Sequence, residues 1–205
     1  MADFGKRALN KAQTKLNILQ AMQDLIIDTN FRDLKVKDIA ARANVTEMTF
    51  FNYFKVKDDL MIYFMQIWTL DIMTVQLQDP LKGEEAIRRI FSFIAKQITG
   101  TPRIMLNLIS YLASLSHYPQ RTALQAAECY LRHPEQTQLH VEILPNLGAI
   151  FLEHLHEIKP NFDHQMNLAR LFSCFYGDAL IAHITQQDLQ LFYTDTLNLI
   201  FKDIK

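Results

Sequence analysis

Three observations predict an all-α fold for this 205-residue chain. Five glycines and six prolines leave long stretches without turn punctuation. Within those stretches apolar residues recur at spacings of three and four, the period of one helix face. Strand signals are nearly absent, with no Asn-Gly or Asp-Gly turn and no sustained alternation of polar and apolar residues.

The elements follow in order. Leu9, Ala12, Leu16, Leu19, Met22 and Ile26 form one stripe, so a first helix is expected over about 8–28, closed by Asn30 and Phe31. A second, short helix fits 36–43, with Ile39, Ala40 and Ala43 on one side. After a break at Asn44-Val45, Thr46 is a good N-cap for a third helix reaching about Phe54. Asp58 and Asp59 suit the positive end of a fourth helix running to about Leu77. Beyond it, Pro80, Gly100-Pro102, Pro119, Pro134 and Pro160 separate helical patterns over 83–99, 102–116, 120–132, 136–157, 162–184 and 187–203. Pro145 should kink or split the segment 136–157.

About half the residues are apolar and a fifth charged, a globular composition. The net charge of −1 argues at first against a polyanion partner. Its distribution says more: residues 1–60 hold ten Lys/Arg against eight Asp/Glu, the remainder eleven against fourteen. Lys6, Arg7, Lys11 and Lys15 form a run without an acidic residue. Cys129 and Cys174 lack metal-ligand spacing and read as buried thiols. With neither a leader pattern nor a membrane-length apolar run, a cytoplasmic protein without a membrane partner is expected.

The stretch "VTEMTFFNYFKVKDDLM" crowds Phe50, Phe51, Tyr53 and Phe54 among polar residues that no core would favour. Two short helices behind a longer one give the layout of a helix-turn-helix, here about 34–54. The second helix of such a pair enters a major groove, so its outer face needs short polar side chains. Thr46, Thr49 and Asn52 supply them, on a helix that also carries Glu47 and Met48. Phe50 and Phe54, four apart, would face inward, leaving Phe51 and Tyr53 to pack on sugar and phosphate. Lys35 and Lys37 at the start of helix two, and Lys57 at the start of helix four, are placed for phosphates.

The run "FRDLKVKDIAARANVTEMTFFNYFKVKDDL" resembles the N-terminal DNA-binding domain of the TetR family of transcriptional regulators. "VKDIAARANV", the capping threonine, "TFFNYF" and the lysine that follows carry the likeness, over about residues 10–60. By position it implies base and phosphate contacts at Thr46, Thr49, Phe51, Asn52, Tyr53 and Lys57. The chain departs from the pattern at Phe51, commonly a tyrosine, at Met48 and Asn30, often glycines, and at Leu34 and Lys35, commonly threonines. Helix two therefore lacks the usual hydroxyl cap.

The resemblance implies a DNA-binding domain over 8–60 and a larger helical domain for effector binding and dimerisation over 61–205. It further implies a homodimer, joined through the last two long helices, on a near-palindromic duplex operator. Leu168, Phe172, Phe175 and Ala179, with Leu189, Phe192, Thr196 and Ile200, are the candidate interface. A dimer also has a mechanical reason, since two recognition helices spanning ~34–36 Å discriminate better than one. Phe64, Met65, Trp68, Phe91, Met105, Tyr111 and Tyr130 each read singly as core, as do Met73, Phe93 and Tyr118. As a group, by resemblance, they imply a cavity between helices four and eight for a small, largely apolar effector that releases a repressor from DNA.

No cofactor or metal is expected. "EHLHE" holds one Glu-x-x-His where a di-iron bundle needs two, and His154 and His156 point to different sides of a helix. With no phosphate-cradling glycine loop and no nucleophile elbow, an enzyme is disfavoured. An effector-independent regulator or a protein-interaction module are the other readings.

Overall fold

The computed structural model describes residues 4–116, 123–136, 139 and 146–204. Ten α-helices, and no strand, occur among the described residues. They are α1 Lys6–Leu25, α2 Val36–Arg42, α3 Glu47–Tyr53, α4 Asp58–Gln78 and α5 Gly83–Thr99, then α6 Pro102–Ala113, α7 Ala126–Arg132, α8 Leu147–Ile158, α9 Gln165–Thr185 and α10 Leu189–Ile204. A 3-10 turn at Phe31–Asp33, not expected from the periodicity, links α1 to α2. Helix α6 ends at Ala113 rather than 116, and α7 begins at Ala126 rather than 120. Tyr118 and the kink expected at Pro145 lie outside the described residues.

The chain forms two compact units, one of residues 1–74 and 110–144, the other of 75–109 and 145–205. Helix α4 is the one described helix long and apolar enough to cross a membrane, yet 67% of that stretch is buried within the protein. It is a core helix.

In the first unit, Ala12, Ile18, Leu19 and Met22 of α1 meet a core that includes Ile39, Phe50, Leu60 and Met61. Arg42 donates to Asp24 across the α1–α2 pair at 2.9 Å. Helix α2 ends in a 6→1 bond from Val45 N–H to the Ala40 carbonyl, which puts Asn44 in the left-handed region at φ 55°. Asparagine is among the few residues that tolerate this conformation, and it sets the sharp turn into α3.

Two ion-pair clusters hold α7 in this unit. Glu128 has no solvent exposure; its Oε1 pairs with Lys15 of α1, and its Oε2 accepts the Gln125 N–H at 2.6 Å. The Lys15 ammonium also lies 4.2 Å from the centre of the Tyr63 ring. Asp71 of α4 takes a bidentate pair from Arg132, at 2.9 and 2.8 Å, and contacts His133 Nε2 at 2.8 Å. Burial alone would raise the Asp71 carboxyl, but hydrogen bonds from Arg132 and His133 outweigh it and hold the group below its ordinary value.

The second unit is built around rings. Phe91 of α5 stacks on Phe151 of α8 at 5.6 Å and meets Tyr193 of α10 edge-on at 4.8 Å. The Tyr193 hydroxyl donates to the Phe175 carbonyl of α9 at 2.8 Å, so the polar end of this buried ring is satisfied. At the start of α5, Glu157 accepts the Gly83 N–H and contacts His154 Nδ1, while Gln76 meets the other ring nitrogen, each at 2.8 Å. His156, on the other side of α8, is exposed, as its spacing from His154 predicts.

Glu128→Gln should cost about 3 kcal/mol in urea unfolding, because it leaves the Lys15 ammonium buried without its counter-charge. The double variant Lys15→Met/Glu128→Gln should recover part of that loss; strictly additive losses would mean that the pair is not coupled. The lowered Asp71 pKa sets a pH window as well. Its contribution is complete above the unfolded carboxylate value of about 4 and is lost as pH falls through the lower folded value. An acid titration of stability should therefore lose part of its fall below about pH 4 in Asp71→Asn.

Candidate nucleic-acid interface

Helix α3 starts where the sequence says it should. Thr46 is the N-cap, its Oγ1 accepting the Thr49 N–H at 3.1 Å and sharing a hydrogen bond with Thr49 Oγ1 at 2.9 Å. One of the two hydroxyl protons is spent inside this pair, which leaves one for an outside acceptor. Helix α2 has Lys35 at its N-cap with no side-chain cap bond, the consequence expected from the absent threonine.

Two sides of α3 do different work. Phe50 and Phe54 are 0% and 3% exposed and pack on each other at 5.5 Å. Phe54 reaches Tyr63 of α4, also at 5.5 Å, and lies below the Lys15 ammonium. Outward stand Thr46, Glu47, Met48, Phe51 and Asn52, with Met48 76% and Phe51 43% exposed. Thr49 and Tyr53 are half-buried at the edge of that face. Lys35 and Lys37 are exposed and form no ion pair among the described residues.

Lys57 has another occupation. Its ammonium donates to the carbonyls of Phe31, Arg32 and Leu34 at 2.8, 2.8 and 3.0 Å and lies 4.9 Å from the centre of the Phe31 ring. Burial pulls its pKa below the ordinary lysine value. All three N–H donors engage the carbonyls of this turn, which clamps it to the start of α4 and competes with the phosphate contact expected at this position. Lys15, from the basic run at the start of the chain, is likewise tied inward, to Glu128. Sequence reasoning missed both roles because the carbonyls and the carboxylate involved lie 23 to 113 residues away along the chain.

The seven expected pocket residues are largely packed within the protein. Phe64, Met65, Tyr111, Phe91 and Met105 are 4%, 8%, 7%, 0% and 1% exposed, and Trp68 and Tyr130 are half-buried. Phe91 is packed in the ring cluster of the second unit. That unit carries two open concavities of about 560 and 600 Å³. The first is bounded by Ile98, Ala182 and Gln190, the second by Arg88, Phe93 and Gln190, and none of the seven lines either.

Half of the expected dimer stripe is buried within the single chain. Phe175, Ala179, Leu189 and Ile200 are 1%, 5%, 7% and 7% exposed within the single chain, so they are internal core. Leu168, Phe172, Phe192 and Thr196 are half-buried. The outward apolar residues are Met166, Leu180, Ile181 and Ile184 on α9 and Leu191 and Leu199 on α10. Among the described residues no group of three or more His, Cys, Asp or Glu converges on a metal position.

Lys57→Met should lower stability by roughly 1–3 kcal/mol in urea unfolding, since it leaves three carbonyls of a tight turn without donors. Asn52→Ala, on the solvated face of α3, should stay within about 0.5 kcal/mol of the parent. Equal stability of Lys57→Met and the parent would overturn the clamp.

Residues 18–64 match the model of the bacterial regulatory proteins of the tetR family. No curated protein matches the chain in sequence. Solved structures resemble it in fold. The Thermus thermophilus FadR, a TetR-family transcriptional repressor in complex with lauroyl-CoA, is 18% identical with a TM-score of 0.60, over 91% of this chain and 93% of its own. The FadR regulator of Bacillus subtilis, in complex with stearoyl-CoA, is 19% identical with a TM-score of 0.61, over 90% and 96%. A TetR transcriptional regulator from Rhodococcus sp. RHA1 is 13% identical with a TM-score of 0.59, over 98% of each chain. The match at residues 18–64, which contains the turn, the capped α3 and Lys57, identifies this N-terminal segment as the DNA-binding domain type of the tetR family of bacterial regulatory proteins.

Proposed function

We propose that this transcriptional regulator is a homodimeric repressor, acting in the cytoplasm, that binds a near-palindromic duplex operator and leaves it when a small, largely apolar effector binds. DNA reading falls to residues 8–60, effector binding and dimerisation to 61–205. The observation that carries the reading is the outward face of α3. It presents Thr46, Glu47, Met48, Phe51 and Asn52 to solvent, while Phe50 and Phe54 anchor its back and Lys35 and Lys37 stand free beside it.

Support for the dimer comes from α9 and α10. Six apolar side chains exposed on two adjacent helices form a stripe of the kind that a partner surface covers. Gly177 is exposed beside it, and a Cβ there would meet nothing within 4 Å, so another helix can approach closely. Support for an apolar effector is the acyl-CoA held by two regulators of the same fold. Coupling requires that the effector bind the free and DNA-bound states with different affinity. A regulator that needs no effector is the second reading, favoured by the closed packing around Phe91 and Met105.

Selection of bound sequences from random duplexes tests the core of the reading. The wild-type protein should enrich a near-palindrome, with affinity falling steeply as salt rises, and Asn52→Ala should weaken that selection. Absence of any enriched sequence would sink it. In sedimentation the double variant Ile184→Glu/Leu199→Glu should be a monomer and lose operator affinity by at least tenfold. Lauroyl-CoA should release the operator complex; a complex unaffected by it and by free fatty acids would favour the effector-independent reading.

A further inference from the structure

The recognition face has an unusual chemistry for a surface that reads polar base edges. Met48 is 76% exposed, the highest value among the exposed large apolar residues described in this chain. Phe51, on the neighbouring row of α3, is 43% exposed and meets the Phe50 ring in a T-shaped pair at 5.5 Å. The hydrogen-bonding capacity beside them is small. Thr46 and Thr49 spend one of their two hydroxyl protons on each other, Glu47 only accepts, and Asn52 is the one amide on the face.

In the major groove, thymine is the base that offers an apolar group, its 5-methyl, and apolar side chains are what contact it. An exposed thioether gains nothing from a guanine or cytosine edge, where it would strip water from a donor or acceptor without replacing the hydrogen bond. It gains the transfer of its own surface and of a methyl group when it meets thymine.

We infer that the operator half-site is read in large part through thymine methyl groups, with Met48 as the principal specificity residue and Phe51 beside it. Asn52 supplies the adjoining bidentate contact to adenine. This rests on the DNA-reading function proposed above and gives the class of sequence that function selects: half-sites rich in A·T pairs under α3.

Single-atom-group substitution in the DNA tests it directly. With the selected operator in hand, each thymine is replaced in turn by deoxyuridine, which removes the 5-methyl and keeps the pairing edge. One or two such positions per half-site should weaken wild-type binding about three- to fivefold, the worth of one buried methyl. In Met48→Ala the penalty at one of those positions should vanish, and in Met48→Leu, which keeps an apolar contact, it should remain. Met48 is solvent-exposed, so neither substitution threatens the fold, and unfolding curves of the three proteins should coincide. An enriched operator whose uracil variants all bind like the parent, or whose uracil penalty is the same in Met48→Ala, overturns this inference and leaves the DNA-reading function standing. Failure to enrich any operator overturns both.

Discussion

A carboxylate with no exposure to water cannot stay charged without a cation beside it, and Glu128 is such a carboxylate. Its partner is Lys15, 113 residues earlier. That distance is why the pair matters: it fixes α7 against α1, and the same ammonium sits over the rings of Tyr63 and Phe54. Phe54 is one of the two aromatics that hold the back of α3. The packing of α3 is thus linked, through one ring, to a buried ion pair whose carboxylate comes from α7, outside the segment that the tetR-family model matches.

The lysines of the first unit divide by what their ammonium groups touch. Lys15 and Lys57 have partners within the protein and act as internal fastenings, one on a carboxylate and the other on three carbonyls. Lys35 and Lys37 remain in water at the start of α2. A count of positive charge cannot separate these groups.

How far the sequence could be read depended on whether the deciding physics was local. The two sides of α3 were legible because a 3.6-residue period sorts Phe50 and Phe54 from Phe51 and Asn52 without reference to the rest of the chain. So was the Thr46 cap, which bonds three residues ahead. The inward bonds of Lys57 were not legible because its partners are supplied by the fold and not by spacing. On α9 the period itself was ambiguous. Phe175 and Ala179 lie one position from Tyr176 and Leu180, and both rows are apolar enough to be core. Only the ring cluster around Phe91 and Tyr193 decides which row turns inward. The pocket residues share that difficulty, since a large apolar side chain looks the same whether it fills a core or borders a cavity.

Both thiols are closed off. Cys129 is 0% exposed and Cys174 3%. Burial, with the neighbouring Glu128 charge, pushes the Cys129 thiol up to about 11, and burial beside Asp178 raises that of Cys174 as well. Neither offers a thiolate to a peroxide or an electrophile at neutral pH. The thiol chemistry of the protein is therefore insulated from swings in redox poise, and through its cysteines it has no ready means of storing a chemical event.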